Sequence, residues 1–252
     1  DGLHEMFYGD GQLTETINYK MGPKHGLHEK FFENGQLEFR RNFKDGKLDG
    51  LVERFYKNGR SEARLNYKDG KEQGLFTSFH LNGVLSGKGN YIDGQFDGSV
   101  KTYYDNSGIK ISENFKDGKQ DGLYEEYYSK DNKKNFTNFN KKGPGCPYCG
   151  EYIRRQLKTT ANFKHGQLHG LFENYYVNGI LERKGNFIDG QLDGFWSFYH
   201  FNGRFSGIGE FKNGLEIGVW EYFDENGKTM SKGSWSHNTG FPEFFDEKGI
   251  LR

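Results

Sequence analysis

Apolar and polar residues alternate along this chain in short runs, and the runs recur at a fixed spacing of 24 residues. The stretch Gly26 to Asp49, GLHEKFFENGQLEFRRNFKDGKLD, shows the unit. Copies start at Gly2, Gly26, Gly50, Gly74, Gly98 and Gly122, at Cys146 in place of a glycine, and at Gly170, Gly194 and Gly218, with a shortened copy at Gly240. A constant period of this length marks a repeat array. With the starting residue as position 0, position 5 carries a ring in most copies, as at Phe31, Phe79 and Tyr175. Position 17 carries a ring throughout, from Tyr19 and Phe43 to Phe211 and Trp235. Positions 8 and 9 are most often Asn-Gly, as at Asn34-Gly35 and Asn178-Gly179. Asn-Gly between apolar runs predicts a two-residue type I′ hairpin turn, with positive φ at both residues. A second turn, typified by Asp45-Gly46, closes each unit. Each repeat therefore predicts two strands and two turns.

A two-residue loop sets position 7 opposite 10, 6 opposite 11, 3 opposite 14, 2 opposite 15, and 0 opposite 17. Side-chain volumes agree with this register. Where position 2 is Phe76, Phe172, Trp196 or Trp220, position 15 is Gly89, Gly185, Gly209 or Gly233. Charges agree as well, since Glu29, Glu53, Glu173 and Glu221 at position 3 face Arg40, Arg64, Lys184 and Lys232. Period-two alternation then places positions 2, 4, 6, 11, 13, 15 and 17 on one ring-rich face. The other face carries position 1 (mostly Leu) and positions 3, 5, 14 and 16. Position 16 is Asn from Asn18 through Asn186, and equivalent residues lie two strands apart, about 9.6 Å. At that spacing these amides cannot bond each other, so each is expected to tie down a neighbouring strand or turn.

Composition changes the picture in two ways. Only 33% of residues are hydrophobic while 17% are aromatic, so rings must supply a thin core shared between neighbours. Formal net charge is zero, which argues against a nucleic-acid partner. No apolar run reaches the length of a transmembrane helix. The chain begins inside a repeat at Asp1, so the expectation is a cytoplasmic protein, or an exported one if a targeting signal was trimmed from ahead of it.

The expected architecture is all-β: one elongated, open antiparallel sheet of tandem β-hairpin repeats over residues 1–252. The array counts about ten and a half hairpins. The copies across residues 122–169 are eroded, but Phe139 and Phe163 keep the period, so the array is expected to continue through them. The shortened copy spans residues 240–252, where Pro242 can blunt an edge strand.

These units, written G-L-x-x-x-F-Y-x-N-G-x-L and closed by F-x-D-G-x-x-D-G as from Gly170 to Gly194, resemble the MORN repeat (membrane occupation and recognition nexus) in its longer bacterial variant. The resemblance covers essentially the whole chain. It implies a hairpin array and no catalytic residues. Many bacterial proteins with this variant are grouped as antitoxin-like, and other members act as assembly scaffolds or are linked to phospholipids.

Candidate chemistry is sparse. Cys146-Pro147-Tyr148-Cys149 has a redox tetrapeptide spacing, but no helix N-terminus is predicted to activate a thiol. The pair equally suits half of a zinc site completed by His165 and His169, or a local disulfide or two free thiols. Zinc is thus the one cofactor to consider. Lys141, Lys142, Arg154 and Arg155 form part of a basic cluster at the eroded copies, a docking patch for an acidic partner or a solvated surface. Tyr8, Tyr56, Tyr104, Tyr128 and Tyr176 form a row at position 6 that suits protein recognition. No nucleophile–base set, phosphate loop or paired-carboxylate signature is present. The sequence points to a non-enzymatic scaffold for a protein partner, with neutralisation of that partner as one version. A secreted or surface-exposed binder of host protein or glycan ligands is the alternative, with peripheral membrane association beside it. Exposed terminal edges also allow end-to-end self-association.

Overall fold

The computed structural model describes residues 1–129, 156–235 and 243–245. Every regular element among them is a β-strand, and neighbouring strands run antiparallel. The fold is all-β, tandem hairpins in open antiparallel sheet, and divides into two compact units: Asp1–Ile109 with Asn114–Lys119, and Lys110–Glu113 with Gln120–Arg252. In the first, Gly2–Phe7 pairs with Leu13–Tyr19, then Lys24–Phe31, Leu37–Lys44, Gly50–Phe55 and Ser61–Lys68 in succession. Gly74–Phe79, Leu85–Ile92 and Gly98–Tyr103 continue the order. In the second, Gly122–Tyr127 is followed by Leu157–Lys164, Gln167–Tyr175, Leu181–Ile188 and Gln191–Tyr199. Phe205–Lys212, Leu215–Phe223, Thr229–Trp235 and Glu243–Phe245 complete it.

The central register is the one read from the residues. Gly26 lies opposite Phe43, Leu27 opposite Asn42, and Glu29 opposite Arg40. Phe172 opposes Gly185, Trp196 opposes Gly209, and Trp220 opposes Gly233. Near the turn the register slips. Phe31 lies opposite Leu37, so position 5 faces position 11 and the expected 6–11 and 7–10 pairs do not form. Position 11 therefore belongs with positions 1, 3 and 5, and not with the ring-rich face.

The cause is the turn itself. Gly35 has φ 78°, while Asn34 is not in the left-handed region. Phe32 N–H donates to Gln36 O at 2.8 Å, and Gly35 N–H donates to Phe32 O at 2.9 Å. This is a type I turn closed by a left-handed glycine and a bulge, in place of the expected type I′ turn. Asn34 Oδ1 accepts Gln36 N–H at 3.1 Å, which holds the asparagine in that conformation. The type I′ geometry occurs in the other turn, where Asp45 has φ 48° and Gly46 has φ 82°.

The eroded zone departs further from the expectation. Gly122 lies opposite Phe163, not Phe139, and Glu125 lies opposite Thr160. Tyr128 N–H donates to Gln156 O at 2.9 Å, the bond that Tyr8 N–H makes to Gln12 O at 2.7 Å. One hairpin thus takes its first strand from the Gly122 copy and its second from the Cys146 copy. Residues 130–155 lie outside the described residues.

Rings make the shared core. In the second unit Trp196, Phe211 and Trp220 are buried, with Phe172, Phe187, Leu192, Phe198 and Tyr222 against them. Phe211 and Trp220 meet edge-on at 4.9 Å. Each indole folds back over the glycine of the preceding hairpin, and a Cβ on Gly185 or Gly209 would meet Trp196 or Trp220 below 3.0 Å. The indole N–H groups of Trp196 and Trp220 donate to Asn186 O at 3.2 Å and Glu210 O at 3.3 Å. A ring from one hairpin therefore completes the core of the one before it.

Candidate functional site

The tyrosine row at position 6 joins neighbouring hairpins. Tyr8 Oη donates to Phe31 O at 3.0 Å, Tyr56 Oη to Phe79 O at 2.6 Å, and Tyr176 Oη to Tyr199 O at 2.8 Å. Tyr128 Oη donates to Tyr175 O at 2.8 Å, across the skipped copy. Where position 6 is histidine, Nε2 does the same work: His80 reaches Tyr103 O and His200 reaches Phe223 O, each at 2.8 Å. Tyr104 is half-buried in the same position, its N–H donating to Gly108 O at 2.8 Å. Burial raises the phenol pKa of Tyr128 and Tyr176 above the ordinary value. The Asn-Gly turns add a second set of links, since Asn34, Asn82 and Asn178 Nδ2 donate to Lys57, Asp105 and Phe201 O at 2.8 to 2.9 Å.

The opposite face is less occupied. Glu29 accepts from Arg40 Nε at 2.7 Å, and Arg40 Nη1 lies 3.8 Å from Glu53 of the next hairpin. Glu53–Arg64 at 3.3 Å, Glu173–Lys184 at 3.8 Å and Glu221–Lys232 repeat the expected pairing. Beside this ladder runs a row of apolar side chains at position 1. Leu3, Leu27, Leu51 and Leu75 are exposed in the first unit. Leu123, Leu171, Phe195 and Val219 are exposed in the second, on four successive hairpins. The glycine at position 0 explains the exposure. With φ of 91° at Gly170, the strand bulges away from the preceding hairpin between Ala161 and Phe163. The amide of position 16 reaches across the gap: Asn18 Nδ2 donates to Leu27 O at 3.0 Å, and Asn162 Nδ2 to Leu171 O at 3.4 Å.

Position 1 was visible in the sequence as a leucine position on the face opposite the position-6 row. What the repeat pattern did not convey is that the rings are engaged between hairpins while these leucines are left outside. The signal was present in position 6, where only Tyr, Phe, His and Asp occur in the regular copies, and Tyr and His share a donor at similar reach.

One polar group interrupts the ring face. His28 is 1% exposed, lies edge-on to Phe39 at 5.1 Å, and accepts from Arg41 Nε at Nδ1 over 3.1 Å. Its Nε2 bonds Glu15 Oε1, so the ring is the neutral Nε2–H tautomer. Burial lowers the His28 pKa, with Arg41 and Lys24 adding to the shift and Glu15 opposing it. In the second unit, burial pushes the Tyr124 phenol up to about 12, with Glu126 and Glu113 adding to it.

Of the remaining sequence candidates, His165 and His169 are among the described residues. His165 lies in a turn with its Nδ1 3.7 Å from Asp121, and His169 Nδ1 lies 3.3 Å from Asp189. Among the described residues no group of three or more His, Cys, Asp or Glu could hold a metal ion. Cys146, Cys149, Lys141, Lys142, Arg154 and Arg155 lie outside the described residues. No helix among the described residues is long and apolar enough to cross a membrane.

No match is found among curated proteins. Among solved structures, those of TcdB2-TccC3-Cdc42 and TcdB2-TccC3-TEV each match over 96% of this chain and 14% of their own, at 10% identity. Their TM-score of 0.19 is too low to carry an argument. The family comparison is decisive: the model of the MORN repeat variant matches residues 1–21, 24–45, 48–69, 72–93, 96–117, 168–189 and 216–237, more than half of the sequence, and the chain belongs to that family.

Proposed function

We propose that the chain is a non-enzymatic repeat scaffold that binds a protein partner on the face carrying the apolar row at position 1. The family is one of repeat scaffolds for protein and membrane interaction. The observation that carries the choice of face is the exposure of Leu27, Leu51 and Leu75, and of Leu171, Phe195 and Val219, at one per hairpin. Apolar side chains recurring at about 9.6 Å, rimmed by paired charges, form a patch of the kind that marks interaction surfaces. The tyrosine row supports inter-hairpin bonding instead, because its hydroxyls reach neighbouring backbone carbonyls.

The test is affinity capture of the protein from its native cells, beside two variants. One carries Leu27→Ser, Leu51→Ser and Leu75→Ser, and the other replaces Lys141, Lys142, Arg154 and Arg155 with serine. A stoichiometric partner lost only in the first variant, with its strand content intact by circular dichroism, supports the reading. Loss only in the second variant moves the site to the skipped copy, and retention in both overturns the proposal. Neutralisation of the partner, the antitoxin-like version, is tested by assaying that partner's activity with and without the scaffold.

A further inference from the structure

The sequence contains seven Asn-Gly pairs, at Asn34, Asn58, Asn82, Asn178, Asn202, Asn213 and Asn226. Asn-Gly is the dipeptide most prone to spontaneous amide loss, because the unhindered glycine nitrogen attacks the asparagine Cγ. A five-membered succinimide forms as ammonia leaves, carrying away the amide nitrogen with a proton from the glycine N–H. Water then opens the ring to aspartate or isoaspartate. By sequence all seven pairs are equal.

The structure separates them. Asn34, Asn58, Asn82, Asn178 and Asn202 have both ends of the side-chain amide held. In each, Oδ1 accepts the N–H two residues on, at 3.0 to 3.1 Å. In each, Nδ2 donates to a carbonyl of the next hairpin, at 2.7 Å for Asn202 and 3.4 Å for Asn58. Asn226 is exposed and differs for a specific reason. Position 6 of its hairpin is Asp224, whose Oδ1 takes both Asn226 N–H at 2.9 Å and Lys228 N–H at 2.8 Å. The N–H that would anchor the Asn226 amide is thus occupied. Asn213 lies exposed in the other type of turn, at φ 51°, and among the described residues its side-chain amide has neither of the two hydrogen bonds that hold the other five. Glycine N–H groups do not discriminate, since Gly35, Gly214 and Gly227 all donate to backbone carbonyls.

We infer that Asn213 and Asn226 are the sites of spontaneous amide loss in the folded protein, and that the turn ladder protects the other five. Attack requires the amide to rotate its Cγ toward the glycine nitrogen. In the five held turns this breaks two hydrogen bonds, each contributing a few-fold, so about tenfold protection is expected.

The test is peptide mapping by mass spectrometry after incubation in mildly alkaline buffer, with each site's rate in the folded protein divided by its rate in concentrated guanidinium chloride. That ratio removes the intrinsic reactivity of each dipeptide. The expected result is a fall of about tenfold at the five held sites and of less than about threefold at Asn213 and Asn226. Equal slowing at all seven sites, or fast loss at Asn34 or Asn202 in the folded protein, overturns the inference. An Asp224→Ala variant tests the cause. It frees Lys228 N–H to bond Asn226 Oδ1, so amide loss should slow a few-fold at Asn226 and stay unchanged at Asn213. No slowing at Asn226 overturns the assigned role of Asp224.

Discussion

Gly185→Ala is the sharpest test of how the hairpins lock together. Gly185 does not have positive φ, so alanine suits its backbone, and any cost is steric. The new Cβ would meet Trp196 Cδ2, Cε2 and Cγ below 3.0 Å. The indole is 1% exposed and cannot retreat without leaving the core and breaking its N–H bond to Asn186 O. Overpacking of this kind costs about 1–3 kcal/mol, and the lost hydrogen bond adds about 1 kcal/mol. The expected loss is therefore about 3 kcal/mol. The assay is guanidinium unfolding followed by tryptophan fluorescence, with amide exchange on Leu181–Ile188 and Gln191–Tyr199 to localise the effect, because array stability is a sum of local terms. Native precedent sets the rescue. Ala161 is buried opposite Phe172, so a methyl at position 15 is compatible with a phenyl at position 2 of the next hairpin. Gly185→Ala combined with Trp196→Phe should lie within about 1 kcal/mol of Trp196→Phe alone. A single-variant cost below about 0.5 kcal/mol would refute the claim that this ring completes the preceding hairpin's core.

Three further outcomes follow from the same contacts. Tyr56→Phe removes the 2.6 Å bond to Phe79 O and should cost about 1 kcal/mol, read as faster amide exchange in Gly74–Phe79. Glu29→Gln should change stability by less than about 1 kcal/mol, because Arg40 is half-exposed and the pair is screened. Lowering pH should destabilise the first unit through His28. Its folded pKa lies below the unfolded value of about 6.5, so the unfolded chain takes up the proton first. The contribution is complete above that value and falls away below it, by up to about 1.4 kcal/mol per unit until the folded pKa is reached. Denaturation of the wild type against His28→Gln across this range checks the sign.

The repeat, the hairpins and the central register were legible because two kinds of compensation agree: Phe172 with Gly185 in volume, and Glu29 with Arg40 in charge. The turns were half legible. Asn-Gly and Asp-Gly both place a glycine in the left-handed region, but Asp45 enters that region while Asn34 stays out of it, its Oδ1 accepting Gln36 N–H. The dipeptide alone does not show that difference. The skip at Gly122 was illegible for the opposite reason: one whole period is bypassed, so spacing is preserved while the partner of Gly122 changes from Phe139 to Phe163. The tyrosine row reads from the sequence as a recognition surface, and the carbonyls that its hydroxyls bond belong to the next hairpin, so that second role is invisible within one unit.

The central claim is that the ring face holds the array together while the position-1 face is left for a partner. Side-chain footprinting by carbene labelling, with and without a captured partner, tests it most directly. The account predicts that Leu27, Leu51 and Leu75, or their counterparts Leu171, Phe195 and Val219, lose labelling on binding while Tyr56 and Tyr176 do not change. Protection of the tyrosines with the leucines still labelled would contradict it.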